Sequence, residues 1–331
     1  MTTLAVAPGP RAGVRGTSPW LSFARRRLTR FLVSLWALVT TAFLMIQLVP
    51  GDPVRASLGL TAPVELVEAR REALGLNDPV WVRYGHYLGG LFTGDFGTSM
   101  GSGQPVSQVI GDRLPATLEL ALPAFAVVAV LSVPLGVLFA VLTRGGRRRG
   151  AELAFTSVSV FLAAVPEFLV AVGLVALLSV RLGWFPVAGS DGASAFVLPV
   201  AALAIGPAAV LARIVRVEML SVLGDDFIRT ARAKRLPRRL VYVRHALPNA
   251  LTAALTIGGL LLTSMVAGTV LVENVFAWPG LGSTIVQSIL QKDYPLVQGV
   301  VLMYGVGVLL VNLLVDVVLA LLDPRSTIRE N

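Results

Sequence analysis

The chain has 331 residues, of which 55% are hydrophobic and 14% are charged, and its formal net charge is +9. Soluble domains carry roughly a quarter charged residues, so this composition excludes an ordinary soluble enzyme. Hydrophobicity this high also excludes a disordered chain, and a sequence without cysteine excludes disulfide frameworks and thiol catalysis. The composition predicts a membrane protein.

Six stretches of the sequence are long and apolar enough to cross a bilayer. A hydrocarbon core of about 30 Å requires roughly 20 apolar helical residues, because each backbone polar group must be bonded within its own helix. Five stretches contain no charged residue, and a sixth is interrupted only by Glu167. The predicted spans are 31–51, 120–143, 153–180, 192–212, 246–272 and 294–315. We therefore predict an all-α polytopic protein with six transmembrane helices.

Basic residues are distributed unequally between the two sides of these spans. If the N-terminus is cytoplasmic, that side carries 21 of the 28 lysines and arginines and the opposite side carries 7. Cytoplasmic loops carry such an excess, so we expect both termini to be cytoplasmic. The net charge then reflects topology, and nucleic acid is not expected as a partner.

The segment between the first two spans, residues 50–113, contains signals for two helices. One is predicted to begin at Pro63 and to end before Gly75, and the other to begin after Pro79. The second helix carries large side chains at helical spacing, namely Trp81, Tyr84, Leu88 and Leu91. Amphipathic aromatic rings favour the headgroup region, so this helix either lies on the outer membrane surface or packs against the spans.

A second outer segment, residues 273–293, is rich in turn-forming residues and cannot be a plain helix. Non-helical backbone at membrane depth is tolerated only where it is buried in protein or lines a wet cavity. This segment is therefore either a gate that dips into the membrane or a simple surface turn. Its gate candidates are Glu273, Trp278, Pro279 and Gly280.

Three ionisable residues lie at membrane depth, where a charge is costly and a function is the first hypothesis. Glu119 and Asp316 are close to span ends and can reach the interface, so we expect them to be structural. Glu167 follows Pro166 in a span that the proline should kink. Its carboxyl group is predicted either to line a cavity or to hydrogen-bond between helices.

The residues needed for common catalytic sites are missing. The only histidines, His86 and His245, fall on opposite sides of the predicted membrane, so neither a catalytic triad nor a His-rich metal site is expected. Neither lysine, Lys234 or Lys292, follows a glycine as a phosphate-binding loop requires. We predict that the chain is not an enzyme and that it holds no metal or cofactor of its own.

The longest cytoplasmic loop, residues 213–245, predicts two short helical pieces. Asp225 and Asp226 precede the first piece and basic residues end it, as suits the helix dipole. Pro237 ends this piece, because the residue before a proline resists helical geometry. A second piece, residues 238–245, then leads into the fifth span.

One face of the first piece is apolar and small. Phe227, Ile228 and Ala231 share this face, and the small Ala231 and Ala233 allow close approach of another surface. An exposed helix of this kind is suited to docking in the groove of a partner. The alternative is a solvated basic loop that only sets the topology.

Residues 226–248 resemble the cytoplasmic "EAA" loop of ABC importer permeases, in the variant typical of dipeptide, oligopeptide and nickel transporters. Arg229, Thr230 and Ala231 occupy the Glu-Ala-Ala positions of that motif. The usual glycine of the family is replaced by Arg235, which removes the residue that favours a tight turn, although Pro237 can still impose a bend. Further segments that resemble the family, in the same order, are 48–53, 74–79, 94–97, 113–120, 273–276, 279–282 and 322–325.

Together these segments resemble the B-type permease subunit, and the resemblance implies a set of partners. It implies a homologous second permease, two cytoplasmic ATPases that hold ATP and Mg²⁺, a substrate-binding protein outside the membrane, and surrounding lipid. It implies a bacterial cytoplasmic membrane and a chain that forms half of a pathway for peptides. Nickel or another small solute is the alternative cargo, and an ion-coupled carrier or a non-transporting scaffold is a competing class.

The resemblance also implies that the first helical piece is a coupling helix pressed by an ATPase. The residues expected to couple are Asp226, Phe227, Ile228, Arg229, Thr230, Ala231, Ala233, Lys234, Arg235 and Leu236. The chain is expected to divide into a flexible tail at 1–24, the first span with its external segment at 25–112, a permease core at 113–325 and a tail at 326–331. The core contains the coupling loop at 213–245.

Overall fold

The computed structural model describes residues 19–48, 54–55, 62–73, 75 and 77–322. Within these ranges the chain is helical, and the one extended pairing is a single bridge between Thr98 and Pro105. The helices are α1 (Pro19–Leu48), α2 (Val64–Ala73), α3 (Val80–Thr93), α4 (Val106–Thr143), α5 (Arg149–Ala164), α6 (Glu167–Leu174), α7 (Ala193–Val222), α8 (Asp226–Ala233), α9 (Arg238–Leu240), α10 (Leu247–Val275), α11 (Leu281–Leu290) and α12 (Tyr294–Leu322). The predicted tails at both ends, and the segments 48–53 and 322–325, lie largely outside the described residues.

Five helices, α1, α4, α7, α10 and α12, are long and apolar enough to span a membrane, and the pair α5–α6 makes a sixth when it is counted as one span. The axes of this pair differ by 96°. The bend lies at Pro166, and Val165 before it has the extended backbone that a following proline imposes. The all-α fold with six spans and the kink at Pro166 are therefore confirmed.

The central helix is α7, in which 61% of the most apolar stretch is buried, against at most 28% in the other long spans. Its closest neighbour is α4. A Cβ added at Gly136 of α4 would lie 2.6 Å from the carbonyl oxygen of Ala212 in α7, so a larger residue has no room there. Small residues bring helix backbones together in this way inside membranes.

Two helices extend well beyond their predicted spans. α4 begins at Val106 rather than near residue 120, and α7 continues to Val222 rather than ending near residue 212. The predicted boundary between residues 112 and 113 consequently lies inside α4. α10 is preceded by α9 and a π-helical turn, Val241–Ala246, which confirms the second helical piece of the loop.

The segment between the first two spans packs against the first span. Tyr84 of α3 shares a 2.7 Å hydrogen bond with the Thr40 hydroxyl of α1, and its ring lies 5.1 Å from that of Phe43. Arg83 donates to the Gln47 side chain at 3.1 Å. Trp81, by contrast, is 76% exposed. Of the two alternatives for this helix, packing against a span is correct for Tyr84, whereas Trp81 faces away from the chain.

Candidate functional site

The helix α8, predicted to dock against a partner, is itself attached firmly to the membrane helices. Ile228 and Ala231 are buried, and both belong to one apolar cluster. The other buried members are Ala140 of α4, Met219 of α7, Leu223, Val241, Ala246 and Ala250. The prediction that the face of Ile228 and Ala231 is free to receive a partner is therefore wrong, because these side chains contact the ends of the chain's own helices.

The opposite face of α8 is open. Phe227 is 44% exposed, although it is a large apolar side chain. Arg229 pairs with Asp226 at 3.1 Å, and the Thr230 hydroxyl donates to the Asp226 carbonyl at 3.0 Å, both on the exposed surface. The exposed members of the predicted coupling set are Asp226, Phe227, Arg229, Thr230, Ala233, Lys234 and Arg235, and Leu236 is partly buried.

The turn after α8 forms without the expected glycine. α8 ends at Ala233, and Arg235 has a φ of 54°, a left-handed conformation that costs a non-glycine residue about 1–2 kcal/mol. The Arg235 amide donates to the Arg232 carbonyl at 2.9 Å, and the Leu236 amide donates to the Ala231 carbonyl at 3.4 Å. The tight turn is therefore kept at the cost of strain at Arg235.

A buried arginine links three helix ends close to α8. Arg216 of α7 is only 7% exposed and bonds Glu152 of α5 at 2.6 Å and the Thr143 hydroxyl of α4 at 3.0 and 3.2 Å. Because the carboxylate neutralises the buried guanidinium, the two groups stabilise each other's position. In the sequence, Arg216 is one of the basic residues that indicate the topology, and no local pattern distinguishes it from the others.

Residues 273–293 form a folded unit centred on Glu273. Glu273 lies in the last turn of α10 and is fully buried. Its carboxylate accepts hydrogen bonds from the Thr117 hydroxyl of α4 at 2.7 Å and from the Ser283 amide of α11 at 3.0 Å. The Thr117 hydroxyl in turn accepts the Leu281 amide at 2.8 Å. Among the described residues no cation pairs with this carboxylate, which is stabilised instead by the amide end of α11, where the helix dipole favours negative charge.

The other gate candidates pack around this carboxylate. Trp278 is 1% exposed and its indole N–H donates to the Ala116 carbonyl at 2.9 Å. The Pro279 carbonyl accepts a hydrogen bond from Arg113 at 3.3 Å. A Cβ added at Gly280 would overlap the Glu273 carboxylate. The prediction of one turn-rich loop over 273–293 is wrong in part, because α10 continues to Val275 and residues 281–290 form the apolar helix α11.

The remaining ionisable residues at membrane depth lie apart from this unit. Glu167 is the first residue of α6, half-buried, and its carboxylate lies so close to Gly268 of α10 that a Cβ there would overlap it. Asp316 of α12 forms a 2.6 Å ion pair with Arg27 of α1. Glu119 is exposed on α4. The choice between cavity lining and helix packing for Glu167 stays open.

Comparison with solved structures finds chains of similar fold. The chain resembles one chain in an inward-facing structure of the MetNI methionine ABC transporter, with a TM-score of 0.53 and 21% identity over 65% of this chain and 97% of the other. At that identity the likeness concerns the fold alone.

Sequence comparison identifies the family. A glutathione transport system permease protein of Salmonella typhimurium is 36% identical over 305 residues, which cover 92% of this chain and 98% of the relative. A putative peptide transport system permease protein of Brucella suis biovar 1 is 38% identical over 308 residues, 91% and 97% of the two chains. Residues 20–121 match the N-terminal model of the binding-protein-dependent transport system membrane components. Residues 132–328 match the model of the binding-protein-dependent transport system inner membrane component, and the chain therefore belongs to this family of ABC importer permeases.

Proposed function

We propose that this chain is one of two membrane subunits of an ATP-driven importer of short peptides. The relatives from Salmonella and Brucella are named for glutathione and peptide transport, and glutathione is itself a tripeptide. The distribution of basic residues supports a cytoplasmic location for both termini and for α8. A homologous second permease completes the pathway, and a binding protein on the opposite side delivers the peptide.

Two cytoplasmic ATPases that bind ATP and Mg²⁺ act on the chain through α8. The two-sided packing of α8 is the observation that supports this role. Its exposed side presents Phe227 to a partner, while Ile228 and Ala231 on the other side are buried among the ends of α4, α7 and α10. Because a close-packed cluster transmits displacement rather than absorbing it, a push on Phe227 moves the three membrane helices together.

Transport then follows from a difference in contact energy between two arrangements of the spans. The ATPase pair needs to favour only one position of α8, and the membrane helices shift with it. The bond between Arg216 and Glu152 and the bond between Arg216 and Thr143 join α7 to α5 and α4. These bonds let the helix ends move as one body instead of separating.

Reconstitution of the chain with its second permease, ATPases and binding protein in liposomes tests this function. Uptake of labelled glutathione and dipeptides is measured with and without ATP. Phe227→Asp should lower uptake and co-purification of the ATPases by about tenfold or more, as for a central aromatic contact in an interface. The matched control is Val243→Asp, at a side chain that is 57% exposed in the neighbouring π-helical turn, and it should keep near-normal uptake.

Three outcomes contradict the proposal. Uptake by the isolated chain under a proton gradient identifies an ion-coupled carrier. Intact ATPase binding and hydrolysis without any uptake identifies a scaffold. Uptake of nickel or another small solute, with no competition by peptides, retains ATP-driven import but overturns the peptide cargo.

A further inference from the structure

A basic groove opens beside α8. It has a volume of about 650 Å³ and is lined by four arginines and a tyrosine, Arg144, Arg147, Arg232, Arg238 and Tyr242. Its remaining walls are Gly145 and the apolar side chains of Val141, Leu236 and Val241, so no carboxylate lines it. The groove therefore combines concentrated positive charge with an apolar edge at the end of the membrane helix α4.

Two of these arginines converge on a single acceptor. Arg144 donates to the Leu223 carbonyl at 3.1 Å, and Arg232 donates to the same oxygen at 3.5 Å. The pKa of Arg232 is lowered, first by partial burial and second by the positive charge of Arg144, while Tyr242 acts to raise it. Two like charges are thus brought together at a neutral oxygen, which leaves most of their N–H donors available.

Two carboxylates of the adjoining helices are paired outside the groove. Glu152 pairs with Arg216 and Asp226 pairs with Arg229. Over the described stretches of the chain, no ion pair includes any of the four groove arginines. No described ion pair therefore neutralises the groove arginines, and an anion bound there would reduce their mutual repulsion.

A second, apolar groove lies along α4, further from the helix end that borders the basic groove. It has a volume of about 220 Å³ and is lined only by apolar and glycine residues of α4, α7, α10 and α12. The α4 residues that line it are Phe125, Ala129 and Val133, and Val133 precedes Val141 of the basic groove by about two helical turns, with a rotation of about 80° around the helix axis. At 1.5 Å per residue, Val133 and Val141 are about 12 Å apart along the helix, within the roughly 15 Å thickness of one hydrocarbon leaflet.

We propose that the two grooves together bind one anionic phospholipid of the cytoplasmic leaflet. The phosphate lies on Arg144 and Arg232, and an acyl chain winds along α4 from Val141 past Val133 into the apolar groove. The inference rests on the orientation given under the proposed function. Guanidinium groups bind phosphate oxygens in pairs, and basic pockets at the cytoplasmic ends of membrane helices bind lipid headgroups. The bound lipid would brace the Leu223 junction between α7 and α8.

Lipid titration of the full-length chain in detergent tests the headgroup. Phosphatidylglycerol and phosphatidylcholine with the same acyl chains are added, and bound lipid is counted by native mass spectrometry. Phosphatidylglycerol should bind at lower concentration, and the double variant Arg144→Gln/Arg232→Gln should weaken its binding by about tenfold or more. The control Arg239→Gln/Arg244→Gln removes the same charge from exposed residues of the same loop that do not line the groove, and should change binding less than about twofold.

A second experiment tests whether the acyl chain occupies the apolar groove. A Cβ at Gly258 meets only Leu211 at 3.9 Å, so Gly258→Leu can be accommodated and fills the apolar groove. This variant should weaken the binding of long-chain phosphatidylglycerol and leave the binding of a dihexanoyl analogue unchanged. Inorganic phosphate should compete poorly with the lipid. Competition by phosphate at concentrations equal to those of the lipid, with no effect of Gly258→Leu, would identify a free-anion site and overturn the lipid.

Further outcomes separate this inference from the proposed function. Equal binding of both lipids to the normal chain, or equal loss in both double variants, overturns the lipid site even if uptake remains ATP-driven. Loss of ATPase co-purification in Arg144→Gln/Arg232→Gln with unchanged phosphatidylglycerol binding assigns the groove to the ATPase and also overturns it. Selective lipid binding by a chain that shows no ATP-driven uptake supports the lipid site and contradicts the importer.

Discussion

Glu273 and Thr117 lie 156 residues apart in the chain and are joined by a 2.7 Å hydrogen bond between two helices, inside the protein. The same carboxylate receives the Ser283 amide, and Thr117 receives the Leu281 amide. A buried pair of side chains thus connects α4, α10 and the start of α11. Replacing one carboxylate oxygen by an NH2 group therefore takes the acceptor away from one of these two donors.

We expect Glu273→Gln to destabilise the chain by about 1–3 kcal/mol, because the amide nitrogen would face either the Thr117 hydroxyl or a backbone N–H. The measurement is thermal unfolding of the purified protein in detergent. Glu119→Gln is the matched control, since Glu119 lies on the exposed surface of α4, and it should leave unfolding almost unchanged. Equal effects of the two substitutions would show that the Glu273 contacts contribute nothing specific.

Gly280→Ala should be harmful because its new methyl group would overlap the Glu273 carboxylate. Accommodating it requires the turn at Trp278 to move, and overpacking of this kind costs about 1–3 kcal/mol. Gly307→Ala on α12 provides the control, since a Cβ there meets no atom within 4 Å. We expect reduced uptake and a lower unfolding temperature for Gly280→Ala only. A stable, fully active Gly280→Ala protein would show that the turn is loosely packed.

The sequence was sufficient for the spans, because apolar length alone decides whether a helix can cross a bilayer. It was insufficient for the start of α4, where Val106 and Ile110 pack against Leu281, Leu296 and Val300 and extend the helix beyond its apolar run. Contacts between segments that are distant in the chain stabilise this extension, and the sequence around residue 106 does not indicate them.

The same limit applies to the two candidate sites. Because Glu273 is a charged residue that follows an apolar run, the sequence predicts that it lies in a loop. Its buried position depends instead on hydrogen-bond donors from α4 and α11. The amphipathic face of α8 could be read from the spacing of Ile228 and Ala231. The sequence does not indicate which surface covers that face, because packing against the chain's own helices and docking in a partner's groove require the same apolar pattern.

Two alanines of α8 should respond differently to the same enlargement. Ala231→Leu adds volume to a buried position, so we expect a loss of about 1–3 kcal/mol of folding stability. Ala233→Leu adds the same side chain on the exposed surface and should leave unfolding unchanged while weakening the ATPase contact. Thermal unfolding and co-purification of the ATPases are measured for both. If Ala231→Leu were fully stable, the burial of the inner face of α8 would be wrong.

Arg235→Gly should stabilise the turn after α8. Arg235 is held at a φ of 54°, and glycine adopts this conformation without the clash that a Cβ creates. We expect a gain of about 1 kcal/mol, which slows hydrogen exchange of the Leu236 amide by roughly fivefold.

Lys234→Gly provides the contrasting control for this prediction, because Lys234 has a φ of −73° and gains nothing from glycine. In the Lys234→Gly variant the Leu236 amide should exchange at the rate of the unsubstituted chain or faster, because glycine increases the conformational freedom of the opened turn. Faster exchange in Arg235→Gly would mean that the arginine side chain stabilises the turn by more than its backbone strain costs.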